Sequence, residues 1–148
     1  MIPFARSRFQ QKTWLEVEKG ARLLYWEGLM AGRVGRGELW QFEELSSETS
    51  LKSEDRLLFL DRFYLRPKCG MPSTRWGMGC ATYTGTGLYV GDDAEEFAGA
   101  LHEALPGPGV DVLENGLAVT RMITASGPEF HRSRDLFSGT AATLRRRN

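Results

Sequence analysis

Between Phe9 and Tyr64 the apolar residues fall in short bursts of aromatic, leucine and threonine residues, parted by turn-formers. Alternation of this kind marks half-buried strands, and no 3.6-residue period competes with it. The pattern predicts strands over Phe9–Val17, Ala21–Leu29, Glu38–Leu45 and Leu57–Leu65, with Lys19-Gly20 and Glu54-Asp55 as turns. Strands adjacent in sequence are expected to pair as antiparallel neighbours. Arg66–Gly79 carries two prolines and three glycines without period and predicts a loop. Two short strands, Cys80–Thr84 and Leu88–Val90, are expected after it.

At Asp92 the period changes. Ala94, Phe97, Ala98, Leu101 and Leu105 recur at helical spacing behind a capping aspartate and early acids, and Pro106-Gly107-Pro108-Gly109 stops the helix. Val110–Leu113 and Leu117–Thr124 flank Glu114-Asn115-Gly116, and an Asn-Gly pair between apolar runs predicts a hairpin. A second helix is expected over Pro128–Phe137, with the proline in its first turn. The class is mainly β, antiparallel, with two α-helices.

Length allows one domain over residues 1–148. The 19 basic and 19 acidic residues cancel, and no long run of one sign precedes the Arg145-Arg146-Arg147 tail. Nucleic acid and anionic membrane surfaces therefore have little electrostatic support as partners. Cys69 and Cys80 lack both zinc-site spacing and the density of a disulfide scaffold, which suits a reducing compartment. With neither a signal-like apolar stretch at the start nor a membrane-length apolar run, the chain reads as soluble and cytoplasmic.

The densest unusual stretch is Gly32-Arg33-Val34-Gly35-Arg36-Gly37-Glu38. A glycine-rich phosphate loop works by opening a helix whose free amides meet the phosphate, and it ends in Gly-Lys-Ser/Thr. Here a strand is expected after the glycines, so a nucleotide-dependent enzyme would need a helix beginning within three residues of Gly37. His102 and His131 lie far apart, His102 reads as a surface residue before a ligand and His131 is as ambiguous, and neither cysteine stands beside a histidine. Glu27, Glu38 and Asp61 stand in or at the start of strands otherwise rich in large apolar groups. Such an acid either faces solvent or is buried with a partner, and Arg33 and Arg62 are the neighbouring guanidinium candidates.

Taken in order, the segments Ile2–Gln11, Gly20–Glu43, Leu57–Leu65 and Glu114–Met122 resemble the urease accessory protein family UreD, called UreH in some bacteria. The most specific matches are Glu27, Gly32-Arg33, Gly37-Glu38 and Asp61-Arg62, which fall on the family's Glu, Gly-Arg, Gly-Glu and Asp-Arg positions. The resemblance implies a scaffold and not an enzyme. Its expected fold is a single domain of stacked, β-helix-like sheet layers with two helices. Its expected partners are urease apoprotein, the accessory protein UreF and, through UreF, the GTPase UreG. Nickel would be a transient cargo, no cofactor would be tightly bound, and GTP would be used by UreG.

Glu27, Glu38 and Asp61 are the candidate acids for a weak nickel path, and Gly32, Arg33, Gly37, Asp61 and Arg62 form the structural and interaction motif. Sparse oxygen ligands suit a cation that must be passed on. Family members are longer on the N-terminal side, so an N-terminally truncated fragment is expected, with uncovered strand edges that favour association. The alternative is a β-rich binding module unrelated to urease.

Overall fold

The computed structural model of the chain describes residues 1–69, 77–113 and 115–146. Seven strands and two α-helices follow in the order β1 (Arg8–Glu16), β2 (Leu23–Met30), β3 (Glu44–Ser53), β4 (Arg56–Leu65), β5 (Tyr83–Val90), α1 (Ala94–Ala104), β6 (Gly109–Leu113), β7 (Leu117–Thr124) and α2 (Gly127–Arg145). They build two sheets, β1-β3-β4 and β2-β5-β7-β6. The first sheet packs on one face of the second through Leu51, Leu88 and Leu117, and both helices cover the other face through Phe97, Leu101, Phe137 and Leu144. The chain is thus mainly β, in stacked layers with two helices.

Sequence neighbours do not all pair. β3–β4 and β6–β7 are antiparallel hairpins, and Glu54 and Asp55 both take positive φ in the β3–β4 turn (47° and 62°), as a right-twisted two-residue hairpin requires. β1 and β3, by contrast, are parallel, in register from Arg8↔Glu44 to Glu16↔Lys52. The expected antiparallel pairing of β1 with β2 and of β2 with β3 is therefore wrong. After β1 the chain crosses at Lys19-Gly20 into the other sheet as β2 and returns as β3, and a strand reached by such a crossover runs parallel to its predecessor. This single coil is the helix-like part of the layering.

Four other expectations change in detail. The strand expected at Glu38–Leu45 begins only at Glu44, because residues 31–43 are a crossing loop with positive φ at Gly32, Gly37 and Trp40. Cys80–Thr84 and Leu88–Val90 are one strand, β5. Its glycines look like breakers but instead admit rings: a Cβ on Gly85 would lie 2.5 Å from Trp26, and one on Gly87 2.6 Å from Phe137. α1 starts after Asp93 without a side-chain cap, since that carboxylate accepts from Tyr89 at 2.7 Å. α2 runs on past Phe137 to Arg145, because Ser133, Phe137, Ala141 and Leu144 continue one buried stripe through a polar stretch. The loop expected at Arg66–Gly79 lies partly outside the described residues, as do Glu114 of the hairpin turn and Arg147 of the tail.

Candidate functional site

The facing surfaces of the two sheets are apolar at both ends and polar between them. At one end Val17, Leu51, Leu88 and Leu117 meet, and at the other Leu29, Phe42 and Leu45. Between these clusters the inward registers carry Thr13, Thr49 and Asp61 as one cross-strand row, faced on the other sheet by Glu27, Thr86 and Arg121 as another. Alternation places these residues inward for the same reason it places their apolar neighbours there. What is unusual is their polarity in a sandwich interior, where apolar side chains pack most favourably.

Glu27 is half-buried and accepts four hydrogen bonds, all from neutral donors. Gln11 Nε2 lies 2.9 Å and Ser47 Oγ 3.4 Å from Oε1, while Thr49 Oγ1 lies 2.8 Å and the Tyr25 hydroxyl 3.1 Å from Oε2. Burial, together with this carboxylate, holds the Tyr25 phenol above its ordinary pKa. The same Glu27 lines two cavities. One, of about 510 Å³, is bounded by Ile2, Phe4, Phe9 and Gln11, and the other, of about 220 Å³, by Asp61, Phe63, Thr86 and Arg121. Asp61 accepts from Arg121 Nη1 at 2.9 Å, and Arg121 also reaches Thr86 Oγ1 at 3.5 Å.

Glu38 is elsewhere. It accepts a forked pair from Arg33, Nε to Oε2 at 2.7 Å and Nη2 to Oε1 at 2.6 Å, and a third bond from the Ala5 amide at 3.3 Å. The Arg33 guanidinium lies 4.5 Å above the Phe4 ring. Those hydrogen bonds, led by the one from Arg33, pull the Glu38 carboxyl below its ordinary pKa. Gly32 is required here twice over: its φ is +141°, and a Cβ would collide with the Glu38 carbonyl oxygen. Gly37, at φ +69°, ends a single 3-10 turn, Val34–Arg36. The glycine stretch is therefore a clasp that folds on itself and pins residues 4–5. The turn precedes Gly37, and the next strand, not an α-helix, follows it. The nucleotide-loop geometry is absent from this segment.

The sequence-derived residues thus separate into two places. Gly32, Arg33, Gly37 and Glu38 make the clasp, while Glu27 and Asp61 belong to the polar belt. Arg62 joins neither, because successive strand residues point to opposite faces. It lies on the outer face, with Nε 2.7 Å from Glu48 Oε2. The pairing considered for Asp61 with its neighbour does not form. His102 and His131 are exposed. Among the described residues, no three His, Cys, Asp or Glu side chains converge to hold a metal ion. Sequence reasoning missed Gln11, Thr49 and above all Arg121. A charged residue in the inward register of Leu117, Val119 and Arg121 was the available signal.

The family described as UreD urease accessory protein matches residues 1–147. Urease accessory protein UreH of Helicobacter hepaticus is 40% identical over 67 residues, which cover 45% of this chain and 27% of that protein. Urease accessory protein UreD of Anaeromyxobacter is 38% identical over 69 residues, 47% and 23% of the two chains. The UreD of Deinococcus radiodurans is 32% identical over 157 aligned positions, covering 98% of this chain and 56% of that protein. The matches thus span from about a quarter to about half of these relatives' length.

Proposed function

The chain belongs to the UreD urease accessory protein family, and from that premise we propose that it is a scaffold in urease maturation whose inter-sheet belt passes nickel toward urease apoprotein. In this reading it binds urease apoprotein and UreF in the cytoplasm. UreF brings UreG, whose GTP hydrolysis drives the delivery. The chain itself catalyses no step.

One observation carries the reading: Glu27 stands between two cavities in the interior of a sandwich, held by neutral hydroxyl and amide donors. A carboxylate without a cationic partner among the described residues costs stability that an apolar side chain in its place would not. Its retention is explained by a cargo that is itself cationic. Oxygen donors supplied one or two at a time hold nickel loosely, as transfer demands. Asp61 is the second oxygen site of the path. Glu38, with both oxygens on Arg33, serves the clasp and not the cargo.

The test is Glu27→Gln in urease-producing cells that depend on this protein. The expected result is urease with several times less nickel, at unchanged levels of the accessory protein and unchanged pull-down of urease. Normal nickel content in the mutant would remove Glu27 from the path. Loss of the soluble protein would assign the residue to the fold instead.

A further inference from the structure

We propose that Arg121 is the gate of the belt at its Asp61 end, holding Asp61 neutralised and the mouth closed to cations until the guanidinium is displaced. The inference rests on the nickel-path reading and concerns which residue controls admission to it.

On the inward registers of β1 to β5 and β7 the acids are Glu27 and Asp61, with Arg121 as the basic residue beside them; Asp111, opposite Val119 on the edge strand β6, is exposed and does not line the cavity they share. All three line the same cavity of about 220 Å³. In the observed arrangement Arg121 sits on Asp61 and leans toward the Phe59 ring, 5.8 Å from its centroid. Asp61 is then compensated, and of the carboxylates lining this cavity Glu27 is left without a cation among the described residues. Glu27 and Arg121 lie two strands apart, or about 10 Å between backbones. That is too far for an ion pair and a little beyond the screening length of about 8 Å at physiological salt, so the two act on a cation between them and not on each other.

A divalent cation approaching the mouth therefore meets a guanidinium where its first oxygen ligand should be. The Arg121 side chain is 52% exposed, so it can leave Asp61 for solvent without opening the fold. Once it has swung away, two carboxylates face one cavity, a charge that matches a divalent ion. Arg121 thus selects against stray cations without binding any, and Asp61 changes from the partner of an arginine to a ligand. A purely structural Arg121–Asp61 staple between the sheets predicts something different: its loss would lower stability and leave cation affinity alone.

The experiment is calorimetric titration of the purified chain with Ni²⁺ alone, with circular dichroism to confirm folding. Arg121→Met should tighten Ni²⁺ binding about tenfold over wild type. Arg121→Lys, which keeps the charge, should stay near wild type, and the double variant Arg121→Met/Asp61→Asn should lose the gain. A folded Arg121→Met with less than about a threefold gain overturns the proposal. If Arg121→Met does not fold, Arg121→Gln decides by the same threshold: a folded variant without at least about a threefold gain overturns the proposal. Because the titration needs no urease, its failure leaves the Glu27→Gln result standing, and failure of Glu27→Gln in cells leaves the local gate intact.

Discussion

The four-stranded sheet presents two faces built on opposite principles. Toward the helices it offers glycines and small residues onto which rings fit: Trp26 and Phe137 lie 5.3 Å apart between centroids, Phe97 meets Phe137 edge-on at 5.3 Å, and Tyr89 stacks on Phe97 at 4.2 Å. Toward the other sheet the same strands offer Glu27, Thr86 and Arg121. The first face maximises apolar burial and dispersion contacts. The second gives up that gain over its middle third and keeps it only at the two ends. Apolar packing and polar hydrogen bonding are thus separated across the thickness of one sheet, and under the proposed function each can be perturbed without the other.

The largest effect should come from the apolar face. Phe137 is fully buried against Gly87, so Phe137→Ala leaves a ring-sized hole and should cost about 3–5 kcal/mol, read as a large fall in melting temperature. A fall of only a degree or two would mean that the helices contribute little to the fold. Next is the clasp that carries the chain from one sheet to the other. Gly32→Ala meets the Glu38 carbonyl and an unfavourable φ, and should cost about 2 kcal/mol in chemical denaturation. Wild-type stability in that variant would show that the crossing loop rearranges freely.

The belt should respond in the opposite way. Glu27→Gln, which keeps the shape and an acceptor oxygen for the surrounding donors, should leave stability within about 1 kcal/mol of wild type while lowering urease activation. A loss as large as that of Phe137→Ala would erase the contrast between the two faces.

The smallest effect concerns pH. The Glu38 carboxyl lies below its ordinary value of 4.5, chiefly through the hydrogen bond from Arg33. A folded-state pKa below the unfolded one adds stability that is fully present above the unfolded value and is lost as pH falls through the folded one. Wild type should therefore be more stable than Glu38→Gln at neutral pH, with the gap closing on acidification below 4.5. A gap independent of pH would mean that the clasp does not depend on the carboxylate charge. The pair is only partly buried, which makes this difference slight and salt-sensitive.

Local periodicity and turn chemistry were sufficient to locate β1, β2, β4, the β6–β7 hairpin and the buried stripe of α1, because alternation and helical spacing are properties of neighbouring residues. The ordered Glu, Gly-Arg, Gly-Glu and Asp-Arg residues were legible too, and with them the family. Pairing was not. Whether Lys19-Gly20 closes a hairpin or crosses between sheets depends on what lies opposite β1, and that strand, β3, begins more than twenty residues later. The same holds for the site. Alternation says that Asp61 and Arg62 point to opposite faces, but only the stacking of the two sheets brings Arg121, sixty residues on, to Asp61 and leaves Arg62 with Glu48. Inward and outward are written in the chain; which inward residues meet is decided by long-range closure, where strand crossing and side-chain packing have to be satisfied together.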